Sequence, residues 1–372
     1  MAIQFISPSY RAASSDLTIQ ISPLGLVELA DEEFEVHGPR LNRYAMNWAF
    51  YLGYHWAQRP ELGEPQLVFN YVKAMSDFTT NFVFGRGVGF RSDDATSAII
   101  PTRLQRIWEV DNKKDSLLWS IGQMGSVSGD VFCKVAYEEP WEDPSGMPHP
   151  GRVRILPLNS AHCFPEWHPH DRERMIRFKL KYRFWGTTIE GTRQVYTYTE
   201  LLTDTNIEEY VNDELIAQYP NPLGEIPIVH ISNLPAGSSP WGISDVNDIT
   251  VINREYNEKA SDVSDIINYH AAPVTVITGA RASNLEMGAK QTWSIPNKDA
   301  KVTSLLFDPQ GVEAALKYLE VIKRSMHEMT GIPETALGQE QPISNTSGVA
   351  LAIQYQPLMQ RFRLKATQYG EG

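Results

Sequence analysis

A few groups of residues have types and spacings suited to chemistry. His149, His162, His168 and His170, with Cys163 and Asp171, offer imidazole, thiol and carboxylate donors. Zinc and related metals accept such donors, so a metal-dependent hydrolase using the His149–Asp171 region is the enzymatic reading. The spacings match no metal-ligand motif, and the segment is proline-rich and loop-like, which favours plain surface polar residues. Gly85-Arg86-Gly87-Val88-Gly89 has the glycines of a nucleotide loop. It follows a helical pattern instead of a strand and opens no helix, so it reads as a turn. Ser126 and Ser128, beside Gly125 and Gly129, lack the register of a Gly-x-Ser-x-Gly elbow and more simply cap a helix-to-strand turn. No Gly-x-x-x-x-Gly-Lys-Ser/Thr loop occurs, and no carboxylate pair stands out for acid–base work. These residues predict neither catalysis nor a cofactor.

The strongest charge pattern lies further along. Residues 244–269 read as a helix capped by Ser244, with Asp245 in the first turn where negative charge suits the helix dipole. It carries Asp245, Asp248, Glu255, Glu258, Asp262 and Asp265 against Arg254 and Lys259. Val246, Ile249, Val263 and Ile266 provide apolar surface that needs cover. A second helix over 311–330, with Leu316, Leu319, Ile322 and Met326, provides part of it. Identical neighbours in a ring would provide the rest, leaving an acidic edge toward a central channel. A solvated helix face is the plain alternative.

Bulk properties bound these readings. A chain of 372 residues exceeds one compact core, so two or more lobes are expected. The net charge of −12 is the opposite of the basic surface that grips phosphate, so any nucleic acid it meets is not held tightly. Cys133 and Cys163 make neither a disulfide framework nor a zinc motif, which fits a reducing cytosol. The N-terminus lacks the basic start and apolar run of a signal peptide, and no apolar stretch of about 18 residues is present to span a membrane.

The elements that must position these residues follow from periodicity. Residues 1–38 read as an irregular N-terminal arm. Apolar spacings of three and four predict helices over 39–57, with Pro39 in the first turn, and over 67–84 and 96–127. Val131–Tyr137 alternates like a strand. Residues 152–235 read as mostly β, most clearly at 152–156, 175–185, 194–199 and 226–231. Residues 235–240 form a breaker cluster. Strands are expected near 273–278, 292–295 and 302–306, a polar loop at 338–347, and a last helix from about Ser347, kinked at Pro357.

The order of these pieces resembles bacteriophage portal proteins of the SPP1 type. The resemblance rests on Gly129-Asp130-Val131-Phe132 after a long helix, on Asn221-Pro222-Leu223-Gly224-Glu225-Ile226-Pro227, on Gly242-Ile243-Ser244-Asp245-Val246, on Thr330-Gly331-Ile332-Pro333 through Gly338, and on Asn345-Thr346-Ser347-Gly348. It implies an α+β portal fold. Residues 39–239 would form a mixed α/β wing, 240–270 and 309–330 the two stem helices, and 271–308 a small α/β clip. Residues 331–347 would be the tunnel-loop region and 348–372 the start of a long C-terminal helix, with the crown truncated or absent. It further implies a homo-oligomeric ring, usually a 12-mer, at one capsid vertex of the virion. Double-stranded DNA would pass Gln339, Glu340, Gln341, Pro342, Ile343, Ser344 and Asn345 of the tunnel loop. The clip, with Arg281, Asn284, Lys290, Trp293 and Lys298, would contact the terminase large subunit and later the head-tail adaptor. Major capsid and scaffolding proteins would be further partners. Another ring-forming virion connector is the nearest alternative.

Overall fold

The computed structural model describes residues 31–56, 67–85, 87–90, 99–143, 145–187, 191–237, 239–271, 275–278, 299, 301–304, 309–338 and 348–372. The chain is mixed α and β and divides into two compact units. The first draws on residues 1–59, 70–251 and 327–372, the second on 60–69 and 252–326.

In the first unit the expected helix at 39–57 is Asp31–Tyr51 (α1), so residues 31–38 of the expected arm are helical and Pro39 lies inside the helix. The reason is tertiary. Glu33 is buried and pairs with Lys179 at 3.0 Å and Lys181 at 3.2 Å. Burial opposes its charge, but the two lysines hold the carboxyl below the usual range. Leu41, Tyr44 and Ala45 form the inward stripe of α1 and meet Ala161 and Phe164. Tyr71–Phe84 (α2) follows, capped by the Asn70 side chain, which accepts from the Lys73 N–H.

The single helix expected over 96–127 is three pieces: Ile99–Gln105 (α3), a π-helical turn at Arg106–Asp111, and Lys114–Ser128 (α4). Asn112 makes the break. Its side chain donates to the carbonyls of Ile107 and Val153, both at 2.8 Å, and accepts from the Ile155 N–H at 2.8 Å. Lys113 then takes a left-handed conformation with φ of 52°. No glycine or proline marks this stop. α4 ends as expected at Gly129, whose φ of 93° a side chain would oppose.

Asp130–Glu138 (β1) runs antiparallel between Arg152–Leu158 (β4) and Ile228–Ser232 (β10), and a short ribbon, Trp141–Glu142 (β2) with Pro148–His149 (β3), lies in the intervening loop. A second sheet is an antiparallel meander of Cys163–His168 (β5), Asp171–Thr187 (β6), Arg193–Leu202 (β7), Asn206–Val211 (β8) and Glu214–Pro220 (β9). β5 corrects the loop expected there: it pairs with β6 through a bulge at Trp167 and tolerates Pro165 because it is an outer strand. β1 separates two cores. Val131 faces Leu117, Ile121 and Ile231, while Phe132 faces Phe178, Leu180, Leu202 and Ile207. Gly348–Gln354 (α7) and Gln356–Glu371 (α8) meet at the expected break, with Pro357 in the first turn of α8.

The second unit takes most of Thr250–Ala271 (α5) and Pro309–Thr330 (α6), and the ribbon Thr275–Thr278 (β11) with Lys301–Ser304 (β12). The strand expected at 292–295 lies outside the described residues. A stripe of Asn253, Asn257 and Ser261, one turn apart on α5, holds the extended residues 67–69 by their backbone. Asn253 Nδ2 donates to the Phe69 carbonyl at 2.8 Å, the Phe69 N–H donates to Asn257 Oδ1 at 2.9 Å, and the Leu67 N–H donates to Ser261 Oγ at 3.1 Å. Leu67 and Tyr256 then pack on Ala260, Val263 and Leu319. Replacing Asn257 with Ala strands the Phe69 N–H, a loss on the order of 1–3 kcal/mol. Hydrogen exchange at the Phe69 amide is expected to quicken by about tenfold or more, with Asn268→Ala, on the exposed side of α5, leaving it unchanged.

Candidate functional site

Three of the sequence motifs, at 129–132, 242–246 and 330–332, meet at a buried polar hub in the first unit, whereas Asn221 instead donates to the Thr203 and Glu225 carbonyls and residues 345–347 lie outside the described residues. Gly129 and Gly242 bring two backbone segments together: a methyl on Gly242 would stand 2.1 Å from the Gly129 carbonyl oxygen, and one on Gly129 would stand 2.8 Å from that of Gly242. The Gly129 carbonyl accepts from the Asn233 N–H at 2.9 Å, and Asn233 Nδ2 donates to the Ile243 carbonyl at 3.0 Å. Asp130, the next residue, is fully buried. Its carboxylate accepts from the Tyr44 hydroxyl and from the Gly242 N–H at 2.7 Å, and His230 Nε2 lies 3.0 Å away. Burial and the Asp130 charge raise the Tyr44 pKa well above the ordinary phenol value, so its proton stays on. Glycine is thus required for close approach, and aspartate for accepting the donors that approach exposes.

A second carboxylate, Asp245, lies beside this junction. Its N–H donates to the Ser126 carbonyl at 2.9 Å, and Thr79 Oγ1 donates to its Oδ2 at 3.3 Å. Lys365 Nζ binds Oδ2, and Arg361 reaches Oδ1 with Nε at 3.1 Å and a second nitrogen at 3.0 Å. Burial works to raise the Asp245 pKa, but Lys365 and Arg361 outweigh it and hold the carboxyl below its usual range. Arg361 also donates to the Thr330 carbonyl at 3.1 Å. One side chain therefore ties the approach to α5 to the last residue of α6. Gly331, with φ of 69°, turns the chain there and buries Ile332, whose carbonyl lies 3.0 Å from His327 Nδ1. Leu358, Arg361, Lys365, Gln368 and Tyr369 recur every three to four residues, so one face of α8 meets the hub. Gln368 accepts from Ser232 Oγ at 2.7 Å, and the Tyr369 hydroxyl donates to Asn233 Oδ1 at 3.0 Å.

These contacts correct part of the expected acidic stem. α5 begins at Thr250, not Ser244, and Ser244 Oγ donates to the Ser126 carbonyl at 2.9 Å instead of starting the helix. Asp245 is buried and paired, so it does not belong to an open acidic edge. Asp248 and Asp262 are exposed, the latter 3.0 Å from Lys259, and Glu255, Glu258 and Asp265 are half-buried. Arg281, Asn284, Lys290, Trp293 and Lys298 lie outside the described residues, as do Gln339, Glu340, Gln341, Pro342, Ile343, Ser344 and Asn345.

The histidine group does not assemble. Among the described residues no three His, Cys, Asp or Glu side chains are placed to hold a metal. His149 stacks on Trp141 at 4.3 Å, His162 stands against Tyr182 at 5.8 Å, and Cys163 belongs to the core of the meander. Burial raises the Cys163 thiol and pushes Cys133 up to about 12, so both thiols keep their protons in the core.

The profile of the family described as "Phage portal protein, SPP1 Gp6-like" matches residues 36–372. The chain belongs to this family. Portal proteins of this kind are structural rather than enzymatic, and they belong to the portal vertex of phage-like particles. The chain is also similar to solved chains titled "Virion of native gene transfer agent (GTA) particle" (13% identity, 78% of this chain, 72% of that chain, TM-score 0.42). Others are titled "Neck of empty GTA particle computed with C6 symmetry" (14%, 78% and 72%, 0.44) and "Neck of native GTA particle computed with C12 symmetry" (14%, 70% and 68%, 0.41). None of the curated proteins matches by sequence.

In this portal protein the hub's two carboxylates carry distinct risks. Asp245→Ala leaves Lys365 and Arg361 without their counter-charge, which costs on the order of 3–5 kcal/mol. The double change Asp245→Leu with Lys365→Met is expected to recover part of that in chemical denaturation, since it removes the buried lysine while Arg361 keeps only the Thr330 carbonyl. Because the folded pKa of Asp245 is depressed, its contribution is present above the unfolded carboxylate value and lost as pH falls through the folded one. The melting temperature of the parent should therefore drop more steeply below about pH 4 than that of the double variant.

Proposed function

We propose that copies of this chain form a closed ring, of about twelve subunits, that conducts double-stranded DNA at one vertex of a capsid. The observation that carries the reading is the family match over residues 36–372. The meeting of three of the family-like motifs at one hub supports it, because Asp245 and Thr330, just before and just after residues 252–326, are both held there by Arg361. In this reading α5 and α6 are the stem, residues 271–308 the clip, residues 339–347 the tunnel loop, and the rest of the first unit the wing. The clip would receive the terminase large subunit during packaging and the head-tail adaptor afterwards, through Arg281, Asn284, Lys290, Trp293 and Lys298. Major capsid and scaffolding proteins would surround the wing.

The electrostatics suit a conduit. A wall that binds phosphate tightly would stall the duplex, whereas one lined by Asp248, Glu255, Glu258, Asp262 and Asp265 repels it, with ions screening the repulsion beyond about 10 Å. Residues 339–347 hold one charged side chain, Glu340, so contact there would be steric and polar. Packaging energy would come from the terminase. Among the described residues no helix is long and apolar enough to cross a membrane.

Negative-stain microscopy of the purified protein is expected to show rings with a central hole, and monomers at every concentration would overturn the proposal. Deleting Gln341–Asn345 should lower DNA packaging or retention by tenfold or more while rings persist. Loss of the rings themselves would remove the tunnel-loop assignment.

A further inference from the structure

Among the described residues, one surface of the first unit exposes apolar side chains with nothing over them. α3 and the π-helical turn after it contain no buried residue. Trp108 anchors this stretch from behind on the core of Leu117 and Ile121, and Phe90 stacks on it with ring centroids 3.8 Å apart. Asn112 is committed to β4 by two hydrogen bonds of 2.8 Å. Ile99 and Val110 are therefore left 61% and 71% exposed. From Ile99 to Lys114 the chain carries Arg103, Arg106, Lys113 and Lys114 against Glu109 and Asp111, a basic balance in an acidic protein.

A second surface has the opposite sign. β9 is the outer strand of its sheet, and among the described residues no strand pairs with its free edge. Leu215 and Ile216 on it are 48% and 49% exposed. An outer strand of this length and apolarity invites a partner. Between Asp204 and Tyr219 stand five carboxylates and no Lys or Arg. Asn212 and Asp213, with φ of 50° and 64°, fix a tight hairpin turn that presents Glu214 beside Leu215.

Neither surface suits itself, because two copies of one would bring like charges together. Joined head to tail they cover both apolar sets and pair opposite charges, and a head-to-tail contact is the kind that repeats around a closed ring. We infer that the Ile99–Lys114 face of one subunit docks on the β8–β9 hairpin of the next copy. This rests on the ring proposed above and adds which surfaces meet.

Charge reversal tests it. Arg103→Glu with Lys113→Glu, or separately Asp204→Lys with Glu214→Lys, should each raise the concentration for half-assembly at least tenfold by sedimentation. All four changes in one chain should restore assembly, since the signs are opposite again. The four reversed side chains and the two cross-linking positions are all at the surface, so circular dichroism should stay unchanged. As a second readout, Val110→Cys with Ile216→Cys in one chain should give an intermolecular ladder with a short bis-maleimide, and neither single change should do so. Rings that are indifferent to both reversals and give no ladder overturn this pairing while leaving the ring intact. A parent that forms neither ring nor ladder overturns the ring as well.

Discussion

An ionised carboxylate removed from water has to be compensated, and Asp245 receives that compensation from two cations one helical turn apart, Arg361 and Lys365. The penalty for burying such a charge unpaired is several kcal/mol, comparable to the net stability of a whole domain. The chain therefore cannot place α8 elsewhere without a large loss. Since Arg361 also binds the Thr330 carbonyl, the same constraint fixes where α6 ends. A hydrophobic cluster at this place would supply stability with little directional demand, whereas a planar guanidinium with two nitrogens on Asp245 Oδ1 and a third on the Thr330 carbonyl fixes angle and distance together.

Asp130 performs the corresponding task for the sheets. Its neighbours Gly129 and Val131 show why the order of residues matters. Glycine turns the chain out of α4 and admits Gly242, aspartate accepts the Gly242 N–H, and valine and phenylalanine then point into different cores. A shift of one residue would turn Asp130 toward the core that Val131 fills and leave the Gly242 N–H without an acceptor. The motif is short because one strand has to satisfy a turn, a buried charge and two apolar faces in succession.

What was legible in the sequence was what local chemistry decides. The helix at 71–84, the glycine stop at 129, strand β1, and the break at Pro357 follow from periodicity, capping and the geometry of proline. The misses share a different cause, namely a partner far along the chain. Glu33 extends α1 through lysines in β6, Asn112 stops a helix by bonding to β4, and Asp245 meets Lys365 across 120 positions. Asp245 looked like an N-terminal helix acid, and nothing near it in the sequence distinguished it from Asp248. The Asn253, Asn257 and Ser261 stripe was readable in principle, since three small polar residues at four-residue spacing are unusual on a helix that must bury that face. Its target, the backbone of residues 67–69, was not.

The treatment of charge differs between places, and that difference bears on a conduit. Inside the first unit the charges of Asp245, Glu33 and Glu200 are each matched by cations at short range. Among the described residues, of the α5 carboxylates Glu255, Glu258, Asp262 and Asp265 only Asp262 makes a short ion pair within the helix, with Lys259 at 3.0 Å. Matched charges inside leave little field outside, so the net charge of −12 is expressed at surfaces. In the ring proposed above, a duplex beside several copies of α5 would meet those charges as a repulsive wall within about one screening length. Tight internal pairing and the weakly interacting channel proposed above are thus compatible in one acidic chain, because the first is set by contacts under 4 Å and the second would be set by the charges that those contacts leave over.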